Sequence, residues 1–208
     1  MKKFILAGAS LCIATVASAA TLTQTVNFDH TSNVASALLP LTFDRFDSSL
    51  GTLTEVKLVT SGSYVRNVSV VVNGSFGSGT YNLEVDGNMR TSGVGLLINR
   101  DLDFNITGTA SNGTVPLQYT RAFGGSSTIA PLASHIGSGT FNVGTQFIGT
   151  ELNFPSSFSS GTPASFISQK TTGQANLIYT YEPVPEPATL AILAAGLGFC
   201  ARRKRARS

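Results

Sequence analysis

Apolar and polar positions along the chain settle into three regimes. Phe4 to Val16 is a thirteen-residue apolar run behind Met1-Lys2-Lys3, and Ala188 to Ala201 is a second uncharged run of fourteen residues. Between them the pattern alternates with period two, as strands with one buried and one solvated face require. Gln24, Val26 and Phe28 alternate with Thr25, Asn27 and Asp29, and Val68, Val70 and Val72 share a face. Tyr81, Leu83 and Val85 precede Asp86-Gly87, a pair that predicts a tight hairpin turn. Leu102, Phe104 and Ile106 alternate with Asp101, Asp103, Asn105 and Thr107, predicting a half-buried strand with an acidic outer face. Val115, Leu117 and Tyr119 repeat the device, as do Phe141 and Val143, and Ala175, Leu177, Tyr179 and Tyr181 form the last strand before Pro183. Phe123 to Ser138 and Phe154 to Gly173, rich in Gly, Ser, Pro and Phe, are expected to be long loops carrying short edge strands. No window between the terminal runs has helical spacing. The expectation is an all-β fold, a single antiparallel β-sandwich, with a closed β-barrel as the alternative because patterning does not fix closure. Residues 20–182 are long enough for one domain with its own core.

The two flanking runs have the chemistry of addresses. Lys2 and Lys3 form a basic start, the apolar run follows, and Ala17-Ser18-Ala19 supplies the small residues of a signal-peptidase site. Residues 1–19 therefore predict a signal peptide, cleaved between Ala19 and Ala20. At the other end, Pro185 and Pro187 each fix φ near about −65° and lack a donor, so the segment around Glu186 should be extended and unpaired. Fourteen apolar residues at ~1.5 Å each span roughly 21 Å of a hydrocarbon core about 30 Å thick. Arg202, Arg203, Lys204, Arg205 and Arg207 flank that hydrophobic helix and would stop transfer on the cytoplasmic side. A buried C-terminal helix is the plain alternative, but one that starts from a Pro-Glu-Pro break and ends in cations packs poorly on a β domain.

Val184-Pro185-Glu186-Pro187, the apolar run and the Arg-rich end together resemble the PEP-CTERM sorting signal of Gram-negative bacteria, here over residues 183–208. The resemblance implies export, transient retention in the inner membrane through the tail, and cleavage near Glu186 by an exosortase. Release would then be to the cell surface or the exopolysaccharide matrix. A second resemblance lies in the body. Phe43-Asp44-Arg45-Phe46-Asp47-Ser48-Ser49-Leu50-Gly51-Thr52-Leu53-Thr54-Glu55-Val56 and the closing Leu177 to Tyr181 are similar to the choice-of-anchor E domain, an extracellular bacterial β module with no established activity. Within that phrase Asp47-Ser48-Ser49 should bond its own backbone in a turn, Leu50 and Leu53 should tuck into the core, and Gly51 should form an αL corner.

Removing the ends changes the charge. The chain is +3 overall, but residues 20–182 hold seven Lys or Arg against ten Asp or Glu, about −3. No basic stripe with interleaved aromatics remains, so a nucleic-acid partner is excluded. Cys12 and Cys200 lie in the two terminal runs, leaving the body without a thiol for a disulfide or a Cys-based metal site.

Candidate chemistry is sparse, and no cofactor is expected. His30, beside Asp29, and His135, in a Ser-Gly stretch, are the only histidines and are expected at the surface or in loops. No Gly-x-Ser-x-Gly elbow, Walker or zinc-protease motif occurs, so no catalytic residue is assigned and a hydrolase is disfavoured. Asp101, Asp103 and Asn105 could offer oxygen ligands to Ca²⁺, with Asp44 and Asp47 a second oxygen-rich spot, but same-face strand positions ~6.6 Å apart are too spread for one ion without loop partners. With no Trp, a strong aromatic sugar platform is not expected, and Phe154, Phe158 and Phe166 read as a core lid. The functional expectation is an exported non-enzymatic surface or matrix protein, handled by signal peptidase and exosortase. The alternative is a binding or hydrolytic module for extracellular polysaccharide.

Overall fold

A computed structural model describes residues 18–34, 36–72, 78–111, 113–153 and 165–184. Nine strands carry it: β1 (Ala20–Ser32), β2 (Ser36–Asp44), β3 (Gly51–Val72), β4 (Ser78–Gly93), β5 (Leu96–Asp101), β6 (Phe104–Ser111), β7 (Gly113–Ile129), β8 (Thr140–Asn153) and β9 (Ser165–Pro183). They form two antiparallel sheets. Sheet A has the order β1-β9-β3-β7; sheet B runs β2-β8-β4, with β5 and β6 sharing the far edge of β4.

The pairing has a simple origin. β1 pairs with β9, β2 with β8, β3 with β7, and β4 with β5 and β6, so the chain is a nested series of antiparallel pairs whose members alternate between the sheets. The β3–β9 and β4–β8 ladders then close each sheet. This is a jelly roll. The barrel alternative fails because no ladder joins the sheets among the described residues. Side chains sew the open sides instead. On one side Gln24 Nε2 donates to the Asp44 carbonyl at 3.0 Å while Oε1 accepts from the Asp44 N–H at 2.8 Å. On the other, Arg100 Nε donates to the Gly124 carbonyl at 2.7 Å and the Leu97 N–H to Ser127 Oγ at 3.2 Å.

Between the sheets, the period-two positions meet. Val56, Leu58, Tyr64, Val68 and Val70 of β3 face Leu41, Phe43, Leu83, Met89, Val143 and Phe147 of sheet B, all buried. Burying one such side chain fully is worth roughly 1.5–3 kcal/mol, so this layer dominates the stability. In the middle of sheet A, Gly62 and Gly173 stand opposite one another. A Cβ on either would strike backbone and a phenylalanine ring; the vacated space holds Phe28 and Phe123, stacked with centroids 6.3 Å apart.

Several expectations are corrected here. Asp86-Gly87 is not a turn. It runs through β4 because Leu83, Val85, Met89 and Thr91 continue one buried face, which a reversal at residue 86 would waste. It is where the edge partner changes from β6 to β5: the Leu102 N–H donates to the Gly87 carbonyl at 2.6 Å, and Asp103 Oδ1 accepts from the Gly87 N–H at 3.0 Å. The predicted strand through Leu102 is accordingly split into β5 and β6. The actual reversal is Val94-Gly95, both with positive φ. The two expected loops are strand in part: β7 continues to Ile129, leaving 130–138 as a loop around the single 3-10 turn Ala133–His135, and β9 begins at Ser165, with 154–164, including Phe154 and Phe158, outside the described residues. Leu53 is buried as expected, but Leu50 is 40% exposed.

Candidate functional site

The resemblance phrase around Phe46 is built into the end of the molecule from which the last strand leaves. Asp47 caps a single 3-10 turn, Ser48–Leu50, its Oδ1 accepting from the Ser49 N–H at 2.8 Å. That bond holds the Asp47 carboxyl below the usual carboxylate range. Gly51 follows with φ 149° and ψ −160°, a positive-φ conformation kept almost wholly to glycine, so the corner is not αL. Glycine is obligatory there because a Cβ would collide with the Glu182 carbonyl. From this corner β3 pairs with β9 as Gly51 with Pro183 and Thr52 with Glu182, and the Val184 N–H adds a bond to the Leu50 carbonyl at 3.2 Å. Phe46, fully buried, packs against Tyr179 and Tyr181 with ring centroids at 5.6 and 5.1 Å. The loop after β7 clasps it: the Phe46 N–H donates to the His135 carbonyl at 2.7 Å and the Gly137 N–H to the Phe46 carbonyl at 3.0 Å. The body is thus fastened up to Val184, which is 60% exposed.

Pro185, Glu186, Pro187, Arg202, Arg203, Lys204, Arg205 and Arg207 lie outside the described residues, as does Ala17. Ala19 is exposed and Ala20 opens β1 opposite Tyr181, so the two predicted processing points flank adjacent strands. Among the described residues no helix is long and apolar enough to cross a membrane; the tail expected to do so is not among them.

His135 corrects its expected surface position. It has no solvent exposure, its Nδ1 accepts from the Leu132 N–H at 3.1 Å, and its ring meets Phe141 edge-on at 5.4 Å. Burial pulls its pKa down, while the Val94 carbonyl pulls weakly upward from a geometry too poor to make a hydrogen bond to Nε2. With Nδ1 accepting a backbone proton, the ring is the neutral Nε2–H tautomer and is no base for a serine. At the other candidate, Asp29 is paired with Lys170 at 3.1 Å, and His30 stands opposite Thr171 on β1.

The calcium candidates are employed elsewhere. Asp101 Oδ1 accepts from Asn88 Nδ2 at 3.1 Å and Asp103 Oδ1 from the Gly87 N–H at 3.0 Å. Among the described residues no three His, Cys, Asp or Glu side chains gather as a metal site would need.

Two polar groupings escaped the sequence reading, and both lie on one register of sheet A. Arg66 stands opposite Tyr119 on β7 and Gln169 on β9, facing inward and only 3% exposed. Tyr64 Oη donates to Gln169 Oε1 at 2.7 Å and accepts from Arg66 Nη1 at 3.3 Å. The guanidinium also sits 4.8 Å from the centre of the Phe166 ring, so Phe166 faces the interior. Burial pushes the Tyr119 hydroxyl well up, keeping it protonated. One residue further, on the outer face, Gln118 Nε2 donates to Asn67 Oδ1 and Asn67 Nδ2 to Ser168 Oγ, each at 2.9 Å. This ladder floors a groove of about 450 Å³ walled by Pro116 and Ile167. Alternation marks Asn67 and Gln118 as outward, while Ser168 falls in a stretch expected to be loop; only the register brings the three side by side.

A family model described as the PEP-CTERM protein-sorting motif matches residues 183–205. No curated protein matches the chain. Among solved structures, that of infectious bursal disease virus Gx strain aligns at 11% identity with a TM-score of 0.26, over 80% of this chain and 38% of that one. The Gt strain structure aligns at 12% identity with a TM-score of 0.25, over 88% and 43%. The chain spans less than half the length of these two, and likeness at that score carries no functional weight.

Proposed function

We propose that the protein is an exported, non-enzymatic surface or matrix protein whose jelly roll is the cargo of its C-terminal sorting signal. The observation that carries this is where the motif starts. The PEP-CTERM match opens at residue 183, the final residue of β9, so the ladder ends where the signal begins. An exosortase then meets the Pro-Glu-Pro segment a few residues from a fastened edge of the domain. Signal peptidase would act at the Ala19–Ala20 junction, immediately before β1. The inner membrane is a transient partner through the apolar tail, and the cell surface or exopolysaccharide matrix of a Gram-negative bacterium the destination. A body free of thiols suits a compartment where disulfides would otherwise form unbidden. The placement of the Phe43–Val56 phrase at the tail exit supports reading the body as a choice-of-anchor E-like module.

Glu186→Ala tests the reading. Whole-cell fractions should accumulate a membrane-associated species heavier than the mature protein by the tail; an unchanged mature mass and unchanged release would sink it.

A further inference from the structure

The groove on the outer face of sheet A is independent of the sorting signal. It lies where β7, β3 and β9 run side by side, and its floor is the ladder Gln118 to Asn67 to Ser168. With neighbouring strands ~4.8 Å apart, the three side chains line up over roughly 10 Å, across the strands. Each retains hydrogen-bonding capacity beyond the ladder: the Gln118 carbonyl oxygen, a second amide hydrogen on Gln118 and on Asn67, and the Ser168 hydroxyl proton. The floor therefore keeps one acceptor, at its Gln118 end, and a donor on each of the three side chains.

The walls are apolar. Ile167 is 47% exposed because β9 bulges at this point: Asn67 pairs with Ser168 and Val68 with Phe166, leaving Ile167 as the extra residue. A bulge re-aims a side chain that a regular strand would place elsewhere. Here the side chain stands beside the ladder as one wall, and Pro116 on β7 makes the other.

Among the described residues no ionisable side chain lines the groove. Arg66 is adjacent in sequence but faces the opposite side of the sheet, and Lys170 is paired with Asp29 at 3.1 Å. An anionic ligand finds no counter-charge here, and a purely apolar one would strand the amides without partners. A ligand that fits must be uncharged, offer hydroxyls as both donors and acceptors at close intervals, and present C–H faces to Ile167 and Pro116.

We propose that this groove binds a segment of neutral polysaccharide, with the glycan hydroxyls on the Gln118–Asn67–Ser168 ladder and a ring face against Ile167 and Pro116. The absence of an aromatic wall makes each contact modest, so retention depends on a chain with many repeats. Affinity electrophoresis of the purified protein through gels containing dextran, mannan or laminarin, with alginate as the charged control, tests this. At least one neutral polymer should retard the protein, and its soluble oligosaccharides should compete. The Asn67→Ala/Gln118→Ala double variant and the separate Ile167→Asp variant should each bind about tenfold more weakly or not at all, with the melting temperature of the parent. Gln118 and Ile167 are exposed and Asn67 is half-buried, and the melting temperature separates lost binding from lost folding. Retardation by none of the neutral polymers, retardation by alginate alone, or undiminished binding in both variants would overturn the proposal. The neutral polymers offer no charge to Arg202, Arg203, Lys204, Arg205 and Arg207, so retardation by them does not depend on whether the tail is processed.

Discussion

His135 is buried from solvent, and the consequence is a pH dependence. Its folded-state pKa lies below the ordinary 6.5, so an unfolded chain takes up a proton more readily than the folded one. The contribution is fully present above about 6.5 and is lost as pH falls from there through the lowered folded value. The melting temperature should accordingly drop between pH 7 and pH 5, and His135→Gln should flatten that part of the profile. A wild-type midpoint that does not move over this range would refute the assignment. Asp47 does not confuse the window, because its carboxyl titrates below its ordinary 3.8. The Ser-Gly neighbourhood of His135 suggests an exposed loop, yet Phe141 and the Leu132 amide enclose it, and both depend on how the loop folds back. Arg66 misleads in the same way: an arginine between Val65 and Asn67 reads as solvated, and only the opposing Tyr119, Gln169 and Phe166 account for its burial.

Among the elements, the corner that starts β3 is the one whose sequence and role correspond most closely. Asp47 caps as its spacing to Ser49 suggests. Gly51 is required, though for the closeness of the Glu182 carbonyl and not for an αL bend. Gly51→Ala should cost on the order of 1–3 kcal/mol for backbone strain alone, with a further loss from the collision. Gly113 has φ 134° and open space around its Cβ position, so Gly113→Ala isolates the strain. The melting temperature should fall further for Gly51→Ala, with faster hydrogen exchange at the Val184 amide. Equal falls would show that the corner does not clamp the exit. Asp86-Gly87 teaches the opposite lesson. Its turn chemistry is overridden because the buried face of β4 continues past it, and a hairpin there would leave Met89 without a core. The expected loop that ends at Gly173 becomes strand for a related reason: that glycine leaves room for the Phe28 ring of the neighbouring strand.

At the scale of the molecule, the nested pairing joins the ends of the domain: Ala20 meets Tyr181, and every other strand pair closes inside that one. Loop closure must precede most of the favourable contacts, so refolding from denaturant should take milliseconds to seconds or longer. Stopped-flow tyrosine fluorescence would measure it, and recovery complete within the dead time would contradict the topology. The C-terminal sorting motif, the all-β class, the inward faces of the better strands and a stretch from 20 to 182 without cysteine all follow from the sequence by itself. Each is written in local order, as a short motif, a run of apolar residues or a period of two. What only the tertiary structure decided is who lies beside whom: the jelly-roll order, the burial of His135 and Arg66, the handover at Gly87 and the Gln118–Asn67–Ser168 ladder. Alternation states which face a side chain takes but is silent about which distant strand supplies its neighbour, because that choice is made by the packing of two whole sheets.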